Sequence, residues 1–247
     1  MLNAGVGRTD ITPFPGVELT GWGYYIERVW KRIHDPLQAT AVVVESPGHS
    51  PIAIVALDLM LIDVQFTDNV RRQIRDRVDL PPESILLTCS HSHNAPAAGG
   101  LRGVGECNPD YEQWAARQTV DAVVTAWQTR QPATLTAATG RCSGITFNRT
   151  RPAGTVDDVL TVARIDRVDG TPLAVMVSFA GHPTVTTELR PWDVSRDVPG
   201  MVCDLLEKRL PGATAVYIQG ACGDTNFLRE FQTEPRSREP AARLTDA

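Results

Sequence analysis

No apolar run in this sequence is long enough to cross a bilayer. The longest, Ile52 to Val64, is broken by Asp58 and Asp63 and falls short of the roughly 20 apolar residues a spanning helix needs. Positive charge is not in excess: 24 Lys and Arg stand against 29 Asp and Glu, a net charge of −5. That balance excludes the basic surface with which a nucleic-acid binder neutralises phosphate. Paired cysteines are missing too. The five, at 89, 107, 142, 203 and 222, are odd in number, widely spaced and without a C-x-x-C pair. They read as free thiols in a reducing compartment and not as a disulfide framework. The N-terminus, Met1 to Gly7, lacks a basic stretch followed by an apolar one, so no secretory signal is expected and the cytoplasm is the expected location.

What is present is ordinary globular material. Apolar residues make up 42% and charged residues 21% of 247, enough for one large domain that buries roughly 70–75% of its unfolded surface. Ala41–Glu45 and Ile52–Met60 read as neighbouring strands around the turn Ser46 to Ser50. Thr67 and Asp68 are candidate caps of a helix that turns Phe66, Val70, Ile74 and Val78 inward. Ser84–Ser90 then reads as a buried strand, and the order strand, helix, apolar strand suggests a βαβ unit with a parallel core. After a long glycine-rich loop, which in a compact domain usually carries function, Asn108-Pro109-Asp110 opens a second helix. Alternating segments follow at 133–139, 159–166 and 172–179, then a helix over Val198–Leu210 and a strand over Ala213–Gln219. The expected fold is a single α/β domain over residues 1–228, with a mixed, largely parallel β-sheet flanked by helices. Residues 229–247 carry eight charged side chains and only Phe231 and Leu244 as large apolar ones, and are expected to be a disordered tail.

Chemistry concentrates at strand ends. In Thr88-Cys89-Ser90-His91-Ser92-His93-Asn94, the two histidines at i and i+2 can turn to one point just past a buried strand. Ser178-Phe179-Ala180-Gly181-His182-Pro183-Thr184 delivers a third histidine from another strand, between a glycine that permits close approach and a proline that stiffens the turn. Imidazole is the commonest metal ligand and zinc can use two or three of these; a loop with ordinary histidines is the plainer reading. If His91 and His182 share an ion, their rings must stand roughly 4–5 Å apart. Gln219-Gly220-Ala221-Cys222-Gly223-Asp224 faintly has the form of a nucleophile elbow, but Asp224 replaces its second glycine, so Cys222 reads as a small buried residue and Asp224 as a carboxylate near the site. Asp58 interrupts an apolar strand and needs a partner, either a ligand histidine or a structural ion. Arg149 can set a guanidinium against a carbonyl or anionic group, or lie on the surface. Asp35 and Gly5-Val6-Gly7 read as turns.

Taken together, the motifs resemble the N-terminal catalytic region of the neutral/alkaline ceramidase family. They are, in chain order, Gly5 to Pro13, Ile33 to Leu37, Ala53 to Leu59, Leu87 to His93, Asn148-Arg149, Phe179 to Thr184, Ser195 to Gly200 and Gln219 to Asp224. The resemblance implies zinc-dependent hydrolysis of the N-acyl amide of ceramide, or of another lipid-like or small amide. It implies Zn2+ held by His91 and His182, with His93 as the neighbouring active-site histidine, Arg149 as the active-site arginine and Asp224 in the Gly-Asp turn. It also implies a catalytic serine, whereas this chain reads Asp224-Thr225-Asn226-Phe227. The family's zinc site is completed by a Glu and a Tyr from later segments, so the chain is expected to be a truncated relative, or one completed by a missing C-terminal segment or a second chain. Two rival functions follow: an inactive family member that folds without catalysis, and a Cys222 thiol hydrolase with a histidine base.

Overall fold

The computed structural model describes residues 1–23, 27–100 and 103–247. Strands β1 (Leu2–Asp10), β2 (Arg32–Ile33), β3 (Gln38–Glu45) and β4 (Ile52–Leu57) come first. Helix α1 (Val64–Arg75), strand β5 (Ile85–Cys89), helix α2 (Pro109–Gln128), β6 (Gln131–Arg141) and β7 (Thr146–Asn148) follow. Then come β8 (Val159–Arg167), β9 (Pro172–Phe179), the short helix α3 (Val185–Leu189), β10 (Asp193–Val194) and α4 (Asp197–Arg209). Strands β11 (Thr214–Gln219) and β12 (Thr225–Phe227) and helix α5 (Glu239–Asp246) complete the order. Among the described residues, no helix is long and apolar enough to cross a membrane.

Eight strands form one sheet in the order β11-β9-β8-β6-β1-β3-β4-β5. The sheet is mixed, but it is not largely parallel. Only β4 with β5 and β9 with β11 run parallel, and the other five pairings are antiparallel. The reason lies in the connections. A parallel pair needs a crossover of a dozen or more residues, whereas an antiparallel pair closes with a short turn. Helix α1 supplies such a crossover between β4 and β5, and α3 with α4 supplies one between β9 and β11.

Strands apolar on both faces suggested a parallel sheet with helices on either side. Here both faces are buried for another reason: the sheet folds over on itself. Ala4, Val42, Ile165, Met176 and Val216 meet in one inner cluster, and the edge strand β11 comes into contact with β4 and β5. Helices α1 and α2 cover one outer face through Phe66, Val70, Tyr111 and Val120. Helix α4 and α5 cover the other through Val198, Val202 and Leu244. The result is four layers, helix, sheet, sheet, helix, each fully buried large side chain contributing about 1.5–3 kcal/mol. Arg8 ties the halves together from β1, donating to Thr40 Oγ1 (3.1 Å), Glu207 Oε1 (2.5 Å) and the Ala215 carbonyl (3.0 Å).

Three local expectations change. Gly5 and Gly7 are not in a turn but inside β1, facing α2; a Cβ on either would stand 2.1 Å from a helix carbonyl, Ala126 O or Ala122 O. Helix α1 starts a turn before Thr67 and Asp68, because Asp63 accepts from Phe66 N at 2.8 Å, as an N-cap should. Residues 229–247 are folded, with Phe231, Ala241 and Leu244 seated in the cluster beneath α4. Their charges are met in ion pairs, Arg236 with Glu230 and Glu239, and Arg209 with Asp246. Composition suggested disorder, but a few apolar residues at helical spacing suffice where a ready surface awaits them.

Candidate metal and catalytic site

The overfolding of the sheet builds the site. His91 follows the C-terminal end of β5, His182 that of β9, and Cys222 that of β11. These strands belong to opposite ends of the sheet order and meet because the edges touch. The His91 and His182 ring centroids are 4.7 Å apart, His91 and His93 5.0 Å, and His93 and His182 4.8 Å. The ligand atoms of His91, His182 and Cys222 all lie within 4.8 Å of one another.

Each ring is aimed by the backbone. His91 Nδ1 bonds the Met60 carbonyl at 2.8 Å, and His182 Nδ1 bonds the Cys222 carbonyl at 3.1 Å. A carbonyl can only accept, so both rings carry the proton on Nδ1 and leave Nε2 unprotonated. His93 Nε2, 2.9 Å from His182 Nε2, must then be the donor of that pair. His91 sits at φ +65°, a left-handed conformation that non-glycine residues hold only where the surroundings enforce it.

The surroundings do enforce it. Ser92 Oγ donates to the Ser195 carbonyl at 2.7 Å. Asn94 Nδ2 donates to the carbonyls of Arg190 (2.9 Å) and Asp193 (2.6 Å), while Asn94 Oδ1 accepts from Thr187 Oγ1 at 2.6 Å. The fully buried Arg28 donates to the carbonyls of Thr20 (2.9 Å), Pro191 (3.0 Å) and His93. Asp35, expected in a simple turn, accepts from Ser195 Oγ and Arg196 N at 2.7 Å each. The Ser195-Arg196-Asp197 motif is therefore the brace behind the histidine loop. Sequence reading passed over Arg28, and a lone arginine in an otherwise unremarkable stretch gave no signal.

Burial lowers all three imidazoles. His182 falls to about 4, His91 is lowered with Arg149 adding to the effect, and His93 goes well below its ordinary value with the other two rings contributing. All three are neutral at neutral pH, the form that ligates metal or accepts a proton. Arg149 donates through Nε to the Gly223 carbonyl at 3.0 Å. It lines a cavity of about 260 Å³ together with Trp22, His93, Thr184, Glu188 and Asn226.

Two proposed site carboxylates lie elsewhere. Asp224 does not join the histidines. Its Oδ2 accepts from Asn148 Nδ2 at 2.9 Å and its Oδ1 from Thr225 Oγ1 at 3.1 Å, which pins the β7–β12 ribbon carrying Arg149. Asp58 orients no ligand histidine, since both Nδ1 atoms are taken by carbonyls. Its Oδ2 accepts from Gln38 N at 2.9 Å. Burial pushes this carboxyl up to about 7 against the opposing pull of Arg196. Between the ordinary 3.8 and about 7, the folded chain holds a proton that the unfolded chain lacks. The group's stabilising contribution is thus complete below the ordinary value and lost as pH rises through about 7. Asp58→Asn removes that titration: its Tm relative to wild type is expected to climb from about pH 5 to about pH 8, with metal affinity unchanged. A pH-independent Tm difference, or a tenfold loss of metal affinity, would speak for the role at the metal instead.

With the geometry in place, the kinship of the chain is clear. No protein-family profile matches it. Neutral ceramidase A of Dictyostelium discoideum is 25% identical over 267 residues, and neutral ceramidase B of the same organism 26% identical over 269. Each match covers 97% of this chain and 36% of the relative, so the chain spans about a third of the length of these proteins. Its fold is that of the solved neutral ceramidase from Pseudomonas aeruginosa, with a TM-score of 0.87 at 19% identity over 99% of this chain and 44% of that one. A structure described as a ceramidase complexed with C2 gives the same TM-score and covers 43% of its chain. The chain is thus similar to part of the neutral ceramidases over nearly its whole length, and shares their fold there.

Proposed function

We propose that this chain carries the metal-binding face of a ceramidase-like hydrolase, with zinc as its ion and an N-acyl amide of lipid-like or other small-molecule character as its substrate. The observation that carries the reading is the convergence of the His91 and His182 rings, 4.7 Å apart between centroids with ligand atoms within 4.8 Å, in a chain similar to neutral ceramidases over 97% of its length. The donor set fits zinc: two imidazoles, each with Nδ1 anchored on a carbonyl, are the usual oriented ligands of that ion. When bound, zinc supplies polarisation of the amide carbonyl and a water acidified to a pKa of about 7.

The chain's own residues would do the rest. His93 lines the cavity; with His182 Nε2 taken by the ion, the Nε2 proton of His93 would lose its present acceptor and be placed to pass to the departing amine. Arg149 sets a permanent positive charge beside the histidines, where negative charge develops on the carbonyl oxygen. Asp224 and Asn148 fix the ribbon that carries Arg149. Trp22 offers an apolar wall. The rival thiol mechanism is disfavoured, because burial pushes the Cys222 thiol up, away from the reactive thiolate. The free cysteines suit a reducing cytoplasm, and we place the protein there.

The test is zinc stoichiometry and turnover of a short-chain fluorescent ceramide by the 247-residue protein. One zinc per chain is expected, with cleavage that chelation removes and zinc restores. Zinc without cleavage would overturn the enzymatic half of the reading. A chain that binds no zinc would overturn both halves.

A further inference from the structure

We propose that Glu188 is the amine-binding residue of the cavity, and that it holds the amine half of the substrate as an ammonium ion. The inference rests on the hydrolase reading above and names the group that this half meets. The cavity wall of about 260 Å³ contains one side chain of each charge, Arg149 and Glu188. The rest of the lining, Gly21, Trp22, Gly23, His93, Thr184 and Asn226, is uncharged at neutral pH. Among the described residues the two charges are paired neither with each other nor with another ion. Arg149 spends its Nε on the Gly223 carbonyl at 3.0 Å, and the Glu188 carboxylate has no hydrogen bond or ion pair. Arg190, the cation nearest to it in sequence, is engaged with Glu234 at 2.9 Å. The cavity therefore offers a ligand one free cation and one free anion.

Hydrolysis of an N-acyl amide creates the matching pair. The oxygen of water joins the acyl carbon, the C–N bond breaks with its electrons going to nitrogen, and both water protons end on that nitrogen. One carboxylate and one ammonium result, since an alkylamine titrates near 10 as lysine does. The planar guanidinium of Arg149 suits the carboxylate, which leaves the ammonium to Glu188. The uncleaved amide carries neither charge, so Glu188 engages the amine half fully only as the bond breaks. Trp22, edge-on to His93 at 6.1 Å between ring centroids, adds an aromatic ring against which an ammonium is also attracted. Glu188 is held in place from behind. On the same helix α3, Thr186 N donates to Asp197 Oδ2 and Thr187 Oγ1 to Asn94 Oδ1, each at 2.6 Å, and both threonines are buried. A charge fixed in a concave wall acts more strongly on its ligand than the same charge on an open surface.

Binding of hexylamine, hexan-1-ol and hexanoate to the 247-residue protein, titrated by ligand-observed NMR at pH 7 and low salt, tests this without requiring turnover. The wild-type chain is expected to prefer hexylamine to hexan-1-ol by about three- to tenfold. Glu188→Gln, a change at an exposed position, should abolish that preference. Glu83→Gln removes the same charge outside the cavity and should retain it. Arg149→Gln should weaken hexanoate and spare hexylamine. An amine preference that survives in Glu188→Gln, or is lost equally in Glu83→Gln, would overturn the assignment and leave the zinc site to its own test. A chain that binds none of the three probes would overturn the cavity as the amine site, whatever its zinc content. An amine preference that depends on Glu188 in a chain that holds no zinc would uphold the subsite while the hydrolase reading falls.

Discussion

Alanine at His182 is expected to empty the proposed zinc site. The side chain is buried, its Nδ1 is anchored on the Cys222 carbonyl, its Nε2 lies 2.9 Å from His93 Nε2, and its ring stands 4.7 Å from that of His91. Removing it deletes a ligand and frees the turn that carries Cys222. Disturbing a mere orienting group near a metal costs 10–100-fold in affinity, so loss of the ligand itself should exceed ~100-fold. His91→Ala should match it, measured by competition with a chromogenic chelator. His93→Ala is the informative contrast. It is expected to keep zinc affinity within about tenfold while turnover falls by about 10²–10⁴-fold, the usual worth of a positioned proton donor. Zinc affinity that falls equally in all three variants would make His93 a ligand and displace it from the proton-transfer role.

The second large effect is on stability and lies far from the site. Gly7→Ala places a Cβ 2.1 Å from the Ala122 carbonyl oxygen and 2.8 Å from Ala126 N; Gly5→Ala places one 2.1 Å from the Ala126 carbonyl oxygen. In both cases the obstacle is helix backbone, which cannot swing aside as a side chain can. Strand β1 and α2 must separate, opening the cluster around Ala41, Val43 and Val123. A loss of about 3 kcal/mol or more is expected from each substitution, at the upper end of overpacking effects. For a chain of this size that is a fall in Tm of roughly 6–12 °C. Urea unfolding should show a lower midpoint at unchanged slope. A loss below about 1 kcal/mol would mean that the close approach of helix and strand relaxes without strain.

Much of the local structure was legible in the sequence because it depends on neighbours in the chain. Alternation and β-branched content marked β3, β4 and β5, the Asn108-Pro109 cap marked the start of α2, and the inward stripe of Phe66, Val70 and Ile74 marked α1. The strand-end positions of His91 and His182 were readable in the same way. The sheet's direction was not, since a strand buried on both faces looks the same whether helices or another part of the sheet cover it. The ordered C-terminal segment was missed because its few apolar residues acquire meaning only against α4.

By itself the sequence determined most of the longer strands and helices, though not β1 or α5, and that three histidines stand at strand ends, because these follow from spacing and local chemistry. Only the tertiary structure decided that β5 and β11, at opposite ends of the strand order, come together. That contact sets Cys222 beside His91 and His182, gives the orienting role to the Met60 and Cys222 carbonyls, and leaves Asp58 and Asp224 to other partners. The physical reason is that a site built from loops 40 to more than 100 residues apart depends on how a twisted sheet closes over its apolar inner face. That closure is a collective result of packing, and no single motif encodes it.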